Sequence, residues 1–425
     1  MSLRFHFFLA AAFLAARPYE AAASGFAQDP SARTAGRAGA GFAVADAPSA
    51  FALNPAAAGF LKYRQLELGG HATVPFVGFE GESPYPGAGG KESLSHTPAV
   101  APAVYYSHSL SDRLVFGLGV GEPFAFDYRW AEPEAFTGRF LSQRSSLHSL
   151  SLTPLFAYKL ADRMALGVSL DVRRTTFRLD RHVAGIQPFT QLAIDAAALS
   201  TGSADTTKLS GAVGLLAKPS DAFSIGLSYR HKVQASFEGD ATLSRIPSGN
   251  AQVDARFNLL YPGVLAYAAQ INLPARAGGG LAYDWNEWLL VADVEWTDWS
   301  SFGAGPVAFE GRQDLSADLT GAWRDVFSLR LGAEREVNEA WRVRGGYAFA
   351  ESPVTRDSIS PFAPELRRHV VAFGATWSFG AWRLDLANTL AVHPARTTAG
   401  TSTLRFDGRY GGMQNTFSVS IGCQY

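Results

Sequence analysis

The stretch FSLRLGAE, residues 327–334, alternates apolar and polar side chains over its whole length. Phe327, Leu329 and Leu331 fall on one face of an extended chain, and Ser328 and Arg330 fall on the other. Alternation with a period of two is the pattern of a β-strand that has one apolar face. The same pattern recurs at residues 166–173, 290–297 and 382–386. The sequence therefore predicts an all-β protein.

Strands of this kind can be placed along most of the chain. Fourteen are predicted, at residues 64–74, 99–109, 114–126, 146–160, 164–179, 207–218, 223–243, 267–283, 288–301, 326–335, 341–350, 368–378, 382–392 and 415–425. Their connections alternate between tight turns, such as 161–163, and long loops, such as 180–206. Soluble β-sandwiches also alternate, but short turns opposite long loops are typical of bacterial outer-membrane barrels. We predict a fourteen-stranded antiparallel transmembrane β-barrel.

Aromatic residues at predicted strand ends fit this interpretation. They are Phe223, Trp285, Trp341 and Trp382 beside tight turns, and Tyr128, Trp130, Trp296 and Trp299 beside long loops. Membrane barrels carry aromatic girdles at both interfaces with water. We expect two such girdles here.

The N-terminal residues differ in composition from the strands that follow. Residues 1–23 have a weakly basic start, a short apolar run and small residues at 21–23, the pattern of a secretion signal peptide. Residues 36–61 read GRAGAGFAVADAPSAFALNPAAAGFL. A barrel lumen wide enough for a solute leaks unless it is plugged. We therefore predict a signal peptide (1–23), a small N-terminal hatch that plugs the barrel (24–63) and a transmembrane barrel (64–425).

Composition and motif searches argue against several other functions. The formal net charge is -1 and 18% of residues are charged, so the chain offers no basic face to nucleic acid. The single cysteine, Cys423, has no disulfide or metal partner of its own kind. GxSxG, phosphate-loop and histidine metal motifs are absent. We expect no enzyme activity, metal, cofactor or nucleic-acid partner, although a hydrolase built from a distant Ser/His pair stays open.

Several segments, in order, resemble one family. They are the stretch at 36–61, GLGVGEPFAFDY at 117–128, VEWTDWSSF at 294–302 and LRLGAEREVNEAWRVRGGYAFAESPV at 329–354. Together they are similar to the FadL/TodX family (OMPP1/FadL/TodX) of outer-membrane transporters for hydrophobic compounds and long-chain fatty acids. The resemblance covers nearly the whole mature chain. It implies a fourteen-stranded barrel, a hatch with an Asn-Pro-Ala motif and a kinked third strand that opens sideways. Asp46-Ala47 stands where the family usually has two acidic residues.

Asn54, Pro55 and Ala56 match the hatch motif. Proline fixes the backbone, asparagine bonds to neighbouring main-chain groups, and alanine permits close approach. A plain turn that holds the plug and a moving gate both fit these residues.

The third predicted strand contains an interruption. Gly121, Glu122, Pro123 and Phe124 follow a regular alternation, and proline in a strand lacks a donor for the ladder. A local gap here would provide the lateral opening, and a simple bulge near the strand end is the alternative.

Two further sets of residues are candidates for contact with the transported solute. Apolar residues in two long loops are candidates for capture of a solute: Phe189, Leu192, Ile194, Leu259 and Leu260. A carboxylate in an apolar pocket needs a cationic partner. The candidates facing the lumen are Arg173, Arg230, Arg330, Arg342 and Arg344, and the sequence does not select among them.

We therefore predict passive uptake of hydrophobic compounds, chiefly long-chain fatty acids, by capture at extracellular loops, hatch rearrangement and lateral release. An aromatic-hydrocarbon channel, a general porin and a structural barrel are the alternatives. A porin would conduct ions steadily, and a structural barrel would carry no solute. The expected partners are the substrate, outer-membrane lipids and the barrel-assembly machinery, which reads a C-terminal strand such as the one ending at Tyr425. We expect a monomer in the Gram-negative outer membrane.

Overall fold

Strands dominate the computed structural model, which describes residues 29–186, 193–261, 263–302, 307–316, 321–398 and 400–425. The strands are β1 (Arg64–Gly81), β2 (Lys91–Ser93), β3 (Ala99–Ser109), β4 (Leu114–Arg129), β5 (Arg144–Ala161), β6 (Met164–Ile186), β7 (Ala193–Ser200), β8 (Ala204–Ala217), β9 (Phe223–Arg230), β10 (Val233–Arg245), β11 (Val264–Leu273), β12 (Arg276–Trp285), β13 (Trp288–Thr297), β14 (Ala308–Phe309), β15 (Val326–Glu336), β16 (Trp341–Ala350), β17 (Arg368–Phe379), β18 (Trp382–Thr397) and β19 (Gly408–Gln424).

Helices are few and short. The α-helices are Ala32–Gly36 and Ala251–Leu260, and the 3-10 helices are Pro48–Ala52, Pro55–Phe60, Trp299–Ser301 and Arg356–Ser358. Within the described residues, no helix has the length and apolar character needed to cross a membrane.

The sheet closes on itself. Around the ring, the strands run β1, β3, β4, β5, β6, β8, β9, β12, β13, β15, β16, β17, β18 and β19, each antiparallel to the next. The first and last strands pair from Gln65 opposite Gln424 to Gly81 opposite Gly408. β9 and β10 are two parts of one wall strand, and β11 and β12 are two parts of another. The wall therefore has fourteen strands. The predicted fourteen-stranded antiparallel barrel is confirmed.

Side chains alternate across the wall. In β18, Leu386 and Leu390 are exposed on the outer face, and Asp385 and Ala387 are buried on the inner face. Other exposed apolar side chains on the wall strands include Leu68, Phe156, Val168, Leu227, Leu281, Leu331, Phe373 and Val419. An apolar outer band around a polar interior is the arrangement of a barrel embedded in a bilayer.

The predicted aromatic girdles are seen in part. Beside the short turns, Trp285, Trp341 and Trp382 are exposed and Phe223 is partly exposed. Near the long loops, Trp296 is partly exposed, but Tyr128, Trp130 and Trp299 are buried. The prediction is wrong for these three, because their side chains point inward and pack on other aromatic rings, as Trp130 does on Phe136.

Two predicted strands, 223–243 and 267–283, are each broken in two. The breaks follow Arg230 in the first and fall at Pro274 in the second. They lie side by side, because β9 pairs with β12 and β10 pairs with β11. Pro274 cannot donate to a ladder, which explains one of them. Beyond the breaks, β10 and β11 pair with the loop strands β7 and β14.

The N-terminal segment (residues 29–63) packs against the inner wall. Helix Ala32–Gly36 contacts β16 to β19, and the 3-10 helix Pro55–Phe60 contacts β5, β6 and β8. Nearly all side chains from residue 30 to 60 are buried. The contacting wall residues lie only a few positions from the short turns, so the segment fills the lumen at the short-turn end.

Candidate functional site

A buried ion cluster joins the N-terminal segment to one side of the wall. Its members are Arg33, Arg37 and Asp46 from the segment and Glu334, Arg344 and Asp385 from the wall. Within the segment, Arg37 Nη1 lies 2.8 Å from Asp46 Oδ2. Arg37 Nη1 also lies 3.3 Å from Glu334 Oε2, and Arg33 Nε lies 3.3 Å from Asp385 Oδ1. Three cations and three carboxylates are thus matched.

The pKa of the Asp46 carboxyl shows how strongly the charges of this cluster interact. Burial alone would raise its pKa, but the charges of Arg37 and Arg33 outweigh burial and hold the pKa well below its usual range. Removing one member of a buried ion pair leaves the other uncompensated, which costs about 3–5 kcal/mol. On this side, charge holds the segment in place.

The Asn54-Pro55-Ala56 motif holds the segment on the opposite side. Asn54 Nδ2 donates to the carbonyl oxygens of Phe42 at 2.8 Å and Leu215 at 3.1 Å. Asn54 Oδ1 accepts from the Ala56 N–H at 3.0 Å, and Pro55 begins a 3-10 helix. Asn54 is fully buried. Both N–H bonds of this amide and its carbonyl oxygen therefore have partners inside the barrel.

Two glycines of the wall make this approach possible. A Cβ at Gly214 would lie 2.0 Å from Asn54 Oδ1, and one at Gly167 would lie 2.2 Å from the Pro55 carbonyl carbon. Real Cβ atoms do not come so close, so only glycine fits at either position. Sequence analysis did not identify these residues, although glycine inside a strand pattern signals a close backbone approach.

A cavity of about 150 Å³ lies between the N-terminal segment and the long-loop end. Its apolar lining includes Leu53, Phe124, Leu273, Trp299, Val326 and Leu366, and its polar lining includes His71, Arg276, Glu295, Arg330, Glu365 and Arg368. A second cavity, of about 50 Å³, shares the Leu53, His71 and Pro123 walls with the first. Together they form a pocket with apolar walls and charged groups of both signs.

The five arginines predicted for the lumen are all paired with carboxylates. Arg173 and Arg230 contact Asp171, Arg330 contacts Glu295, and Arg344 contacts Glu334. Arg342 is partly exposed near a short turn and contacts Glu336.

Two other arginines in the cavity lining are different. Arg276 and Arg368 make no side-chain hydrogen bond or ion pair with another described residue. Arg276 interacts favourably with the charge of Glu295, and Arg368 with that of Glu365, but neither makes a direct contact. The sequence analysis missed both arginines. Arg276 follows the unforeseen break at Pro274, and the position of Arg368 depends on a long loop.

The predicted interruption lies where β4 leaves its neighbours. Pairing with β5 shifts between Gly121 and Phe124, so Glu122 and Pro123 oppose a single residue. Pairing with β3 stops at Val120, opposite Val104. Glu122 Oε1 lies 2.9 Å from His148 Nδ1. The smaller cavity is lined by residues of both strands beyond this point, including Ala103 and Gly121 to Pro123, so it reaches the open seam.

A long-loop apolar cluster closes the other end of the cavity. It includes Phe79, Phe124, Tyr128, Trp130, Phe136, Phe177, Phe237, Trp299, Phe302, Trp323, Phe362, Phe406 and Tyr410. Phe302 and Trp323 are 4.4 Å apart between ring centroids, and Phe124 lies 5.6 Å from Trp299. Phe124 and Trp299 also line the cavity, so the apolar surface is continuous from the loops to the lumen.

The predicted capture residues have different environments. Phe189 and Leu192 lie outside the described residues. Ile194 packs against Val253 and Phe257. Leu259 is 87% exposed and Leu260 is 45% exposed, at the end of helix Ala251–Leu260.

These features define a class of protein: a membrane barrel filled at one end by its own N-terminal segment, with an apolar cavity that leads towards the wall. A family model described as "Outer membrane protein transport protein (OMPP1/FadL/TodX)" matches residues 13–424. The chain belongs to this family, and it is an outer-membrane transporter of hydrophobic compounds of the FadL type.

Relatives and solved structures agree with this assignment. The long-chain fatty acid transport protein of Escherichia coli O6:H1 is 22% identical over 356 residues, 79% of each chain. Outer membrane protein P1 of Haemophilus influenzae is 23% identical over 385 residues, 81% of this chain and 80% of its own length. The crystal structure of a Pseudomonas aeruginosa FadL homologue has a TM-score of 0.80 at 22% identity, covering 95% of this chain and 100% of its own.

The crystal structure of the P. putida toluene transporter TodX has a TM-score of 0.71 at 22% identity and covers 94% of this chain and 99% of its own. At these identities, the solved structures establish the fold alone.

Proposed function

We propose that this protein carries chiefly long-chain fatty acids inward across the outer membrane by diffusion, as a monomer and without chemical conversion of the substrate. The observation that supports this most is the cavity, where an apolar lining meets two unpaired arginines and extends to an open seam in the wall. The names of the relatives, long-chain fatty acid transport proteins, point to the same substrate class.

Entry depends on apolar surface at the extracellular loops. Exposed Leu259 and Leu260 offer a first contact, and the aromatic surface of Phe124 and Trp299 continues into the cavity. Removing apolar surface from water contributes about 25 cal/mol per Å². A long alkyl chain therefore gains affinity as it moves inward along this surface.

The carboxylate of the substrate pairs with Arg276 and Arg368 in this proposal. The other lumen arginines already have carboxylate partners, so recruiting them would break a buried ion pair. Arg276 and Arg368 make no direct ion pair with a described residue, so a substrate carboxylate would bind them without breaking one. Charge-assisted pairs are among the strongest hydrogen bonds in proteins.

Passage and exit involve the N-terminal segment, which acts as a hatch, and the third wall strand. The segment occupies the short-turn end, so the substrate needs either a rearrangement there or a sideways exit. The β3–β4 seam beyond Val120 lacks ladder hydrogen bonds, and the smaller cavity reaches it. We place lateral release at Gly121 to Phe124, after a shift of the segment beside Leu53.

The second candidate is a channel for aromatic hydrocarbons. The long-loop apolar cluster favours it, because aromatic rings such as Phe302 and Trp323 pack well against a planar apolar solute. Such a solute has no use for Arg276 and Arg368. A general porin or a structural barrel would have no use for the apolar cavity.

The test measures uptake of labelled oleate and labelled toluene, in parallel, by cells that lack their own transporter and express this chain. We expect oleate uptake, and a fall of at least tenfold in the double variant Arg276→Gln/Arg368→Gln. The control is Arg113→Gln/Arg335→Gln, which removes two exposed arginines at short turns. Toluene uptake that is unaffected by the cavity variant would establish the hydrocarbon channel instead. No uptake of either compound by the folded barrel would refute transport.

A further inference from the structure

A groove at the long-loop end of the barrel wall collects positive charge. It encloses about 480 Å³ beside the upper ends of β16, β17 and β18. Four arginines line it, Arg324, Arg356, Arg367 and Arg396, and Glu351 is the single acidic residue in its lining. We call it the arginine groove.

The charges of this groove are not balanced by the protein. Arg324 Nη2 lies 3.7 Å from Glu351 Oε2, a loose contact between partly exposed groups. Arg396 Nη1 donates to Ser352 Oγ at 3.1 Å, and Arg356 Nε donates to the Thr397 carbonyl oxygen at 2.7 Å. Both partners are neutral. Arg367 has no side-chain partner in the part of the chain that the structure describes.

The arginines also repel one another. Arg324, Arg356 and Arg367 each interact unfavourably with the charge of Arg396, and Asp357 interacts favourably with it. Inside the barrel, by contrast, buried arginines such as Arg37 and Arg344 contact carboxylates. A cluster of like charges that the protein leaves unmatched is stabilised when an anion binds between them.

The position of the groove identifies the anion. Phe349 lines the groove on the same face of β16 as the exposed Tyr347, and Arg367 immediately precedes β17. On β18, the outward Val392 is exposed three residues before Ala395, which also lines the groove. The groove thus begins where the apolar outer band ends on the long-loop side. In an outer-membrane barrel, this is the level of the headgroups of the outer leaflet.

We propose that the arginine groove binds the phosphate groups of the phosphorylated glycolipid of the outer leaflet. Guanidinium groups match phosphate oxygens in bidentate geometry, and basic pockets at a membrane interface bind anionic headgroups. Phe349 lies at the lower edge, where it contacts the first methylenes of the acyl chains. The site is independent of the transport path, because none of its residues lines the lumen cavity except Glu351, at the cavity's outer rim.

The experiment uses the full barrel in detergent, titrated with bisphosphorylated lipid A and read out by native mass spectrometry and thermophoresis. Dephosphorylated lipid A and inorganic phosphate are titrated in parallel. We expect Arg356→Gln/Arg367→Gln to weaken binding of bisphosphorylated lipid A at least tenfold. The control, Arg245→Gln/Arg256→Gln, removes two exposed arginines elsewhere on the long-loop side and should change binding less than twofold.

Three results would overturn the proposal. The first is equal binding of lipid A with and without phosphates, and the second is equal loss in both double variants. The third is inorganic phosphate competing at the same concentration as the lipid, which would make this a free-phosphate site. Arg367→Gln alone serves as the second variant, because Arg367 has no contacts to lose; a threefold or greater weakening is expected from it.

Discussion

The Asn54 amide satisfies all of its hydrogen-bonding groups with the N-terminal segment and one wall strand. The sequence was sufficient to select Asn54, Pro55 and Ala56, because proline and asparagine have local effects on the backbone. The receiving partners were not predictable: the Leu215 carbonyl lies 161 residues along the chain. Only the folded barrel brings it and Gly214 to the motif.

Replacing Asn54 with alanine should loosen the N-terminal segment and leave the wall intact. The buried Phe42 carbonyl oxygen loses its Asn54 donor and the buried Ala56 N–H loses its acceptor, and each costs about 1–3 kcal/mol when left unpaired. Hydrogen exchange of the segment amides should speed up at least tenfold in Asn54→Ala. Asn388→Ala, on the exposed outer face, is the control and should leave exchange unchanged. Equal exchange in both variants would contradict this assignment.

The Asp46 carboxyl predicts how the segment responds to acid. Its pKa in the folded protein lies below the ordinary value of 3.8, so its contribution to stability is complete above that pH and is lost as the pH falls through the folded pKa. We expect the protection factors of the segment amides, which correct for the intrinsic pH dependence of exchange, to be constant from pH 8 to about pH 4 and to fall only below that range. In Asp46→Asn, the protection factors should be low at all pH values. A wild-type transition near pH 6 would rule out Asp46 as the controlling group.

At the scale of elements, most wall strands follow directly from period-2 alternation, as β15 and β18 show. Their breaks and ends do not. β10 and β11 continue the alternation of β9 and β12, and so 223–243 and 267–283 each read as one strand. Pro274 is a local reason for one break. The parts beyond both breaks pair with β7 and β14, and a local pattern does not contain that long-range pairing. Arg276, beside the second break, was missed because the break was not predicted.

The interruption in β4 can be removed without changing which side chains face the lumen and which face the bilayer. Glu122 and Pro123 together oppose one residue of β5, so deleting Glu122 and changing Pro123→Thr restores one-to-one pairing. Gly121 and Phe124 both face inward in the native strand and would still do so. We expect oleate uptake to fall to the level of cells without the protein. Pro394→Thr, at the register shift of β18, should transport normally.

Heat-modified migration on gels establishes whether both β4 and β18 variants are folded. Full uptake by a folded β4 variant would show that the substrate leaves by another route.

At the scale of the whole molecule, a barrel filled at its short-turn end should conduct few ions in a planar bilayer. Gly214→Leu introduces a side chain where even a Cβ would lie 2.0 Å from Asn54 Oδ1, so it should displace the segment and raise conductance at least fivefold. Gly345→Leu is the control, because its Cβ would meet nothing closer than 3.8 Å. High, steady conductance of the unmodified protein would favour a porin.

The pairing of β1 with β19 also constrains how the molecule is assembled. These strands are the first and last of the wall, and their seam runs from Gln65 opposite Gln424 to Gly81 opposite Gly408. The wall therefore stays an open sheet until β19, its final strand of seventeen residues, pairs with β1. The ion cluster and the Asn54 contacts span opposite sides of that sheet, so the N-terminal segment can draw the two sides together and act as an internal template before the seam closes.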